Sequence, residues 1–451
     1  MSVAPLFISS MLYQLVRDPL DVVNKASVRV LGRQVNPHAT FAPLGGVRVS
    51  DFDVPISRSV GRLERERVLH VLTNSLPYSR GGYAHRSHEI IRALNEGTFP
   101  AAAITRLAYP MVIGKRPLSG EDFIEGVEYI RSLPLLHPLT FERSMQIQAD
   151  RIAEEARRRR AGVLHTTTPW PNAVATSFAA QRLGIPWVYE ARGEPESTWA
   201  AAQPDPEHAT SSEFYLASRS KETESMLAAS AVIALSDVSK TDLELRGVKN
   251  VTVVPNAVRE SELRQALPSH VARRKLGLGM GPFIGAVSSI VDYEGFDDLI
   301  RSLKFLPDEV KVLLVGDGSA VSRLKDLAEH HGLKDRVVFA GWQAPETIAE
   351  WYSALDVFVV PRKDTRVTRV VTPMKIQRAQ SFGIPVVCSD LPALREVTGG
   401  NAVYVPAESP QHLAAATEKL LAGGRSRKSP VEAFTWEMSA ERLAEIYRGL
   451  H

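Results

Sequence analysis

The segment from Val359 to Val387, VVPRKDTRVTRVVTPMKIQRAQSFGIPVV, sets Arg362, Lys363, Arg366, Arg369, Lys375 and Arg378 between two apolar runs. Asp364 is its only carboxylate. Cations gathered between the end of a buried strand and the start of a helix suit an anion, and a diphosphate fits their spread. Thr372-Pro373 reads as an N-cap followed by proline at the first helical position, and Gly383 as the helix end. Lys375 and Arg378 stand three apart on one helical face, where like charges cost roughly a few tenths of a kcal/mol unless an anion joins them. A solvated or salt-bridged basic surface is the competing reading.

Other polar clusters sit where strands end. GAVSSIVDYEGFDDL offers the hydroxyls of Ser288 and Ser289 together with Glu294, and VGDG, Val315 to Gly318, reads as a turn closing a strand. TNSLPYSRGGYAHRSHEI pairs Gly81 with Gly82, which permit close backbone approach of a phosphate or sugar. Tyr83, Arg86, Arg80 and His88 stand around them. A plain strand-to-helix turn, with Tyr83 in the core, accounts for the same residues. HTTTPWPN places Thr166, Thr167 and Thr168 at a strand end, as ligand hydroxyls or as a helix cap built from Thr and Asn. YEARGEPE alternates Glu190, Arg192, Glu194 and Glu196, which suits a polyol or a solvated loop equally.

These loops need a scaffold, and the hydropathy pattern supplies one. From Val68 onward, short apolar runs such as VLHVLT, GVLHTTT, IPWVYEAR and SAVIALS alternate with helical segments. The rhythm restarts after a polar stretch with FIGAVSS, VKVLLVG, RVVFAG, DVFVVP and IPVVCSD. This alternation predicts two successive α/β domains with doubly wound parallel sheets, facing each other across a cleft. The expected division is an arm or linker over 1–66, a first domain over 67–262, a second over 263–432, and a C-terminal helix over 433–451 that crosses back. Ligands in such sheets gather beyond the carboxyl ends of the strands.

Composition narrows the function. The 451 residues exceed one core, and 44% hydrophobic with 23% charged residues is the balance of a globular protein. A net charge of +3 argues against a nucleic-acid partner held by bulk charge. Cys388 is the only cysteine, which leaves no disulfide framework or cysteine metal site and suits the cytoplasm. No run reaches the roughly 18–20 apolar residues of a membrane span. The N-terminal MSVAPLFISSMLYQLVRD lacks a basic region before its apolar stretch, so it is not read as a signal peptide. It is compatible with an amphipathic helix on a membrane surface or with an arm packed on the first domain.

Taken in order, the motifs NSLPYSRGGYAHRSHEIIRAL, PWVYEARGEPESTWA, SKETESMLAASAVIALSD, VTVVPNAV, SSIVDYEGFDDLI, LLVGDG, RVVFAGW, DVFVVPR, VTPMK, GIPVVCSDLPALREV and FTWE resemble the GT-B fold glycosyltransferases of family 4. The resemblance covers about Val68 to His451. It implies a retaining enzyme that uses a nucleotide-sugar donor, with the donor on the second domain and a saccharide or lipid-linked acceptor on the first. The reaction would pass through an oxocarbenium-like state with no metal. On this basis Arg366, Arg369 and Lys375 are assigned to the departing diphosphate. Ser288, Ser289, Thr372, Arg362 and Arg378 are assigned to the donor, and Gly81, Gly82, Tyr83, Arg86, Thr167 and Arg192 to the acceptor side. The setting implied is cytoplasmic, with a peripheral contact at the inner face of the membrane. The chain departs from the family pattern at three places. Val370 and Arg378 occupy the positions of its two spaced glutamates. Ser289 and Glu294 stand where the family commonly has Arg and Lys. Thr167 aligns with a strand-end histidine, while His165 lies two residues earlier. The departures leave two functions open: an active hexosyl transferase, and a non-catalytic partner or regulator in envelope polysaccharide assembly. An epimerase or phosphorylase on the same architecture is a lesser alternative.

Overall fold

The structure is a computed structural model that describes residues 54–55, 66–97, 99–201, 203, 205–261, 266–423 and 434–450. Almost all of the arm expected over 1–66 lies outside the described residues. Two units emerge. One takes in residues up to Leu235, Ser239–Val254 and the chain from Glu437; the other takes in Ser236–Val238 and Pro255–Trp436. The chain therefore leaves the first unit at Val254, before the boundary expected at 262, and the C-terminal helix Trp436–Arg448 belongs almost wholly to the first unit.

The first unit holds an eight-stranded sheet in the order β3-β4-β2-β1-β5-β6-β7-β8. Its strands are β1 (Val68–Leu72), β2 (Ala101–Thr105), β3 (Glu121–Ile124), β4 (Val127–Ile130), β5 (Val163–Thr167), β6 (Trp187–Ala191), β7 (Ala231–Ala234) and β8 (Val251–Val253). Every pairing is parallel except β3 with β4. The strands β1, β5 and β6 are buried along their whole length, which is why they read as apolar runs rather than alternating ones.

The second unit has six parallel strands in the order β11-β10-β9-β12-β13-β14. They are β9 (Phe283–Val287), β10 (Lys311–Val315), β11 (Val337–Gly341), β12 (Val357–Val360), β13 (Val386–Ser389) and β14 (Val403–Val405). Their side chains, with Leu299, Leu303 and Ile376 from flanking helices, form one core. The strand order reverses between β9 and β12, and likewise between β1 and β5 in the first unit. Loops part to opposite faces at such a switch point and leave a crevice beyond the strand ends.

In the second unit, glycines lock three loops together at this point. Gly295 has φ +71°, and a Cβ there would lie 1.9 Å from Pro361 O, at the end of β12. A Cβ on Gly318, after β10, would lie 2.1 Å from Ile290 O in the loop after β9. Lys363 N also donates to Tyr293 O at 3.0 Å. The loops after β9, β10 and β12 thus form one rigid block. The VGDG turn is part of it, since a Cβ on Gly316 would meet Ser288 O at 1.9 Å. Gly295→Ala should lower stability by more than about 2 kcal/mol through strain and overlap. Chemical denaturation measures this, and an unchanged midpoint would contradict the packing described.

Candidate active site

Glu294 ends a short 3-10 turn, Asp292–Glu294, which places its side chain under the crevice of the second sheet, buried. Arg362, the second residue after β12, grips it with two nitrogens: Nη2 donates to Oε1 at 3.0 Å and Nε to Oε2 at 3.3 Å. The third nitrogen, Nη1, donates to Val371 O at 2.7 Å. Lys375 completes the group. Its Nζ donates to Glu294 Oε2, donates to Ser288 Oγ at 2.8 Å, and lies 5.7 Å from the centre of the Phe296 ring. An ammonium has three N–H groups. Glu294 and Ser288 take two of them among the described residues.

The electrostatics follow from burial and pairing. Burial raises the Glu294 carboxyl, but Arg362 and Lys375 outweigh it and bring its pKa down to about 2. Burial lowers Lys375, with Glu294 opposing and Arg362 adding, so that it stands at about 8. Two cations share one carboxylate, and the local charge is therefore positive.

The other basic residues of the opening segment do not join this group. Arg369 is exposed and forms a two-point pair with Asp364, Nε to Oδ1 at 2.5 Å and Nη2 to Oδ2 at 2.6 Å. Arg366 is exposed at the start of the short helix Arg366–Val370. Lys363 pairs with the buried Asp297 at 3.1 Å. The guanidinium of Arg378 lies 5.8 Å from the centre of the Tyr352 ring. Of the residues assigned to the diphosphate, Lys375 meets Arg362 on Glu294, and Arg369 pairs with Asp364. The cap expected at Thr372-Pro373 is corrected. Residues 371–373 lie outside any helix or strand, with Val371 extended and its O bonded to Arg362, and the helix runs over Lys375–Ser381 with Met374 before it and no side-chain cap. Thr365 caps the preceding turn instead, in a reciprocal pair with Thr368. Thr372 is buried, Ser289 is exposed, and Gly383 does end its helix, at φ +66°.

The acceptor-side residues of the first unit fall into two groups. Gly81, Gly82 and Tyr83 are exposed at the start of the Gly82–Glu96 helix, and Tyr83 Oη donates to Arg192 O at 2.9 Å. Arg86, Thr167 and Arg192 are buried. Glu190 lies between two of them. Arg86 Nε donates to its Oε1 at 2.8 Å and Arg192 Nε to its Oε2 at 2.7 Å. Arg192 Nη1 then donates to Tyr83 O at 2.8 Å and Ser87 Oγ at 2.7 Å, which fixes the first turn of that helix. Burial opposes ionisation of Glu190, but Arg192 and Arg86 hold its pKa well below the ordinary carboxyl value. His165 lies 3.5 Å from Glu190, stacks on His70 and bonds Tyr447 Oη from the C-terminal helix at 2.5 Å. Burial lowers the pKa of His165. The helix after HTTT is not capped by Thr or Asn. Glu222 Oε1 accepts from Trp170 N at 2.8 Å.

Sequence reasoning grouped Glu294 with Ser288 and Ser289 and noted it as a departure, but missed its bonds to Arg362 and Lys375. It also missed Tyr447 as the partner of His165. The Glu190–Arg192 pair had a visible signal, since residues two apart at a strand end share a face. Among the described residues no group of His, Cys, Asp and Glu could hold a metal ion.

Two family profiles match the chain. Residues 81–257 match "Glycosyl transferase 4-like domain" and residues 281–423 match "Glycosyl transferases group 1". The chain belongs to the family 4 glycosyltransferases, with the GT-B fold, and is a transferase enzyme. It is 27% identical over 311 residues to a D-inositol 3-phosphate glycosyltransferase of Xylanimonas cellulosilytica, covering 63% of this chain and 71% of that one. It is 26% identical over 192 residues to a GDP-mannose-dependent alpha-(1-6)-phosphatidylinositol monomannoside mannosyltransferase of Mycobacterium tuberculosis, covering 39% of this chain and 50% of that one. In fold it is similar to sucrose-phosphate synthase of Thermosynechococcus elongatus, with a TM-score of 0.68 at 21% identity over 85% of this chain and 99% of that one. It is also similar to Anabaena HepE in complex with UDP-glucose, with a TM-score of 0.59 at 20% identity over 84% and 95%.

Removing the charge of Glu190 leaves two arginines buried around a neutral amide. Glu190→Gln should therefore cost about 3 kcal/mol or more, whereas Asp364→Asn, at an exposed pair, should cost less than about 1 kcal/mol. Urea denaturation separates the two, and equal effects would contradict the distinction between a buried organising carboxylate and a surface one.

Proposed function

We propose that the protein transfers a hexose from a nucleoside-diphosphate sugar to a saccharide or lipid-linked acceptor, with retention of configuration and without a metal. The observation that carries this reading is the group at the switch point of the second sheet. There Glu294 positions Arg362 and Lys375, two cations on one carboxylate. Support for the donor class comes from relatives: one is named for GDP-mannose and another is solved with UDP-glucose.

As the glycosidic bond breaks, charge develops on the leaving diphosphate. A fixed ammonium beside that oxygen stabilises the transition state more than the ground state, with no reorganisation at the moment of reaction. Ser288, bonded to Lys375, would orient the ammonium. In the first unit, Glu190 and Arg192 would hold the Gly81–Tyr83 turn where an acceptor approaches. The reaction would take place at the cytoplasmic face of a membrane.

Calorimetric titration with UDP, GDP and CDP tests the donor half. One of them should bind, and Lys375→Ala should weaken it by at least about tenfold, the worth of one charge-assisted contact. No binding by any of the three would overturn the reading.

A second reading, a non-catalytic partner in polysaccharide assembly, draws on Val370 and Arg378, neither of which can accept ribose or sugar hydroxyl protons. Arg378→Glu discriminates. Loss of turnover with the cognate nucleotide sugar supports a working transferase, and creation of turnover in a silent protein supports the second reading.

A further inference from the structure

Beside the Gly81–Tyr83 turn, the loops after β1, β2 and β4 carry a surface to which the proposed transfer assigns no role. Leu135, Leu136 and Leu139 are 74%, 61% and 75% exposed, and Leu118 is 95% exposed. Single exposed leucines are ordinary, but three within five residues, with a fourth on the adjoining loop, are not.

The backbone holds these loops side by side. Ala108 N donates to Ser132 O at 2.7 Å, and Leu133 packs on Ala108 and Met111. Leu118 N donates to Tyr78 Oη at 3.2 Å, and Lys115 Nζ donates to Tyr78 O at 2.6 Å. Arg131 lies beneath, with Nη2 donating to Leu76 O at 2.8 Å and its guanidinium 5.1 Å from the centre of the Tyr78 ring. Residues 76–80, 108–118 and 131–143 therefore form one shelf.

The exposed charge on this shelf is mostly positive. Lys115, Arg116 and Arg143 are exposed on it, and Glu142 is the only carboxylate in the three segments. The exposed apolar side chains are aliphatic, without the Trp and Tyr anchors that carry most protein contacts. A second copy of the chain would bring like charges together. A fluid surface of anionic headgroups over hydrocarbon matches both the leucines and the cations.

We propose that this shelf docks the protein on an anionic lipid bilayer, with Leu135, Leu136 and Leu139 entering the headgroup boundary and Lys115, Arg116 and Arg143 meeting lipid phosphates. The purpose of the contact rests on the reading of a lipid-linked acceptor, but the contact itself is measurable without turnover. No helix among the described residues is long and apolar enough to cross a membrane, so this would be surface attachment.

The test is co-sedimentation of the full chain with phosphatidylcholine vesicles, with and without phosphatidylglycerol. The wild type should pellet with the anionic vesicles and be released by salt. The triple variant Leu135→Ser, Leu136→Ser, Leu139→Ser and the double variant Lys115→Glu, Arg116→Glu should each lose at least about tenfold in vesicle affinity. Both should keep the wild-type melting temperature and nucleotide binding, which separates failure of this surface from failure of the donor reading. Three results would overturn the proposal: no binding by the wild type, binding by the variants equal to wild type, or a change in the mass of the lipid-free protein on substitution. The second would move the contact elsewhere, residues 1–53 included, and the third would make the shelf a contact between copies.

Discussion

A buried carboxylate shared by two cations governs the second unit. Arg362 and Lys375 hold Glu294 ionised in the interior against the cost of burial, and Glu294 in turn opposes the loss of charge that burial imposes on Lys375. The three side chains come from the loop after β9, the loop after β12 and the following helix, so one ionic group sets the spacing of the elements that flank the switch point. The glycine contacts at Gly295 and Gly318 make the same loops sterically rigid. Rigidity and charge together produce a cation held in place before any ligand arrives, which is what electrostatic catalysis requires.

The first unit repeats the device with a different outcome. Glu190 also lies between two cations beside a switch point, but Arg86 and Arg192 direct their remaining donors inward, to Val254 O, Tyr83 O and Ser87 Oγ. That network shapes a turn; the one around Glu294 presents a charge. The C-terminal helix adds Tyr447 to the inward network through His165, so the last residues of the chain help to order the middle of the first sheet. Resemblance to the family leads one to expect Arg and Lys at positions 289 and 294. The chain has Ser and Glu there, and the positive charge enters from the opposite loop instead.

Much of the fold was legible because parallel strands buried on both faces read as apolar runs. The strands that escaped notice lack that signature. β2 is AAAIT, with three alanines of low strand preference. The β3–β4 hairpin turns at Glu125 and Gly126, with φ of +46° and +79°, and glutamate rarely marks such a turn. The site was legible in outline only. The clustered cations drew attention to the loop after β12, but the sequence could not say that Asp364 would claim Arg369 or that Glu294 would collect Lys375 and Arg362. Those pairings depend on which side chains the loops bring within reach, and spacing along the chain does not encode that. Thr372-Pro373 misled for a related reason: a good cap signature yields where the backbone is drawn to a tertiary partner, here Arg362.

The central claim is that Lys375 is a buried ammonium poised for a diphosphate. NMR titration of the Lys375 side chain tests it directly, in the free protein and with saturating cognate nucleoside diphosphate. The free protein should give a midpoint near 8, below the ordinary lysine value. The anion favours the charged form, so its binding should move the midpoint upward. A midpoint at the ordinary value, or one that stays put when the nucleotide binds, would contradict the account.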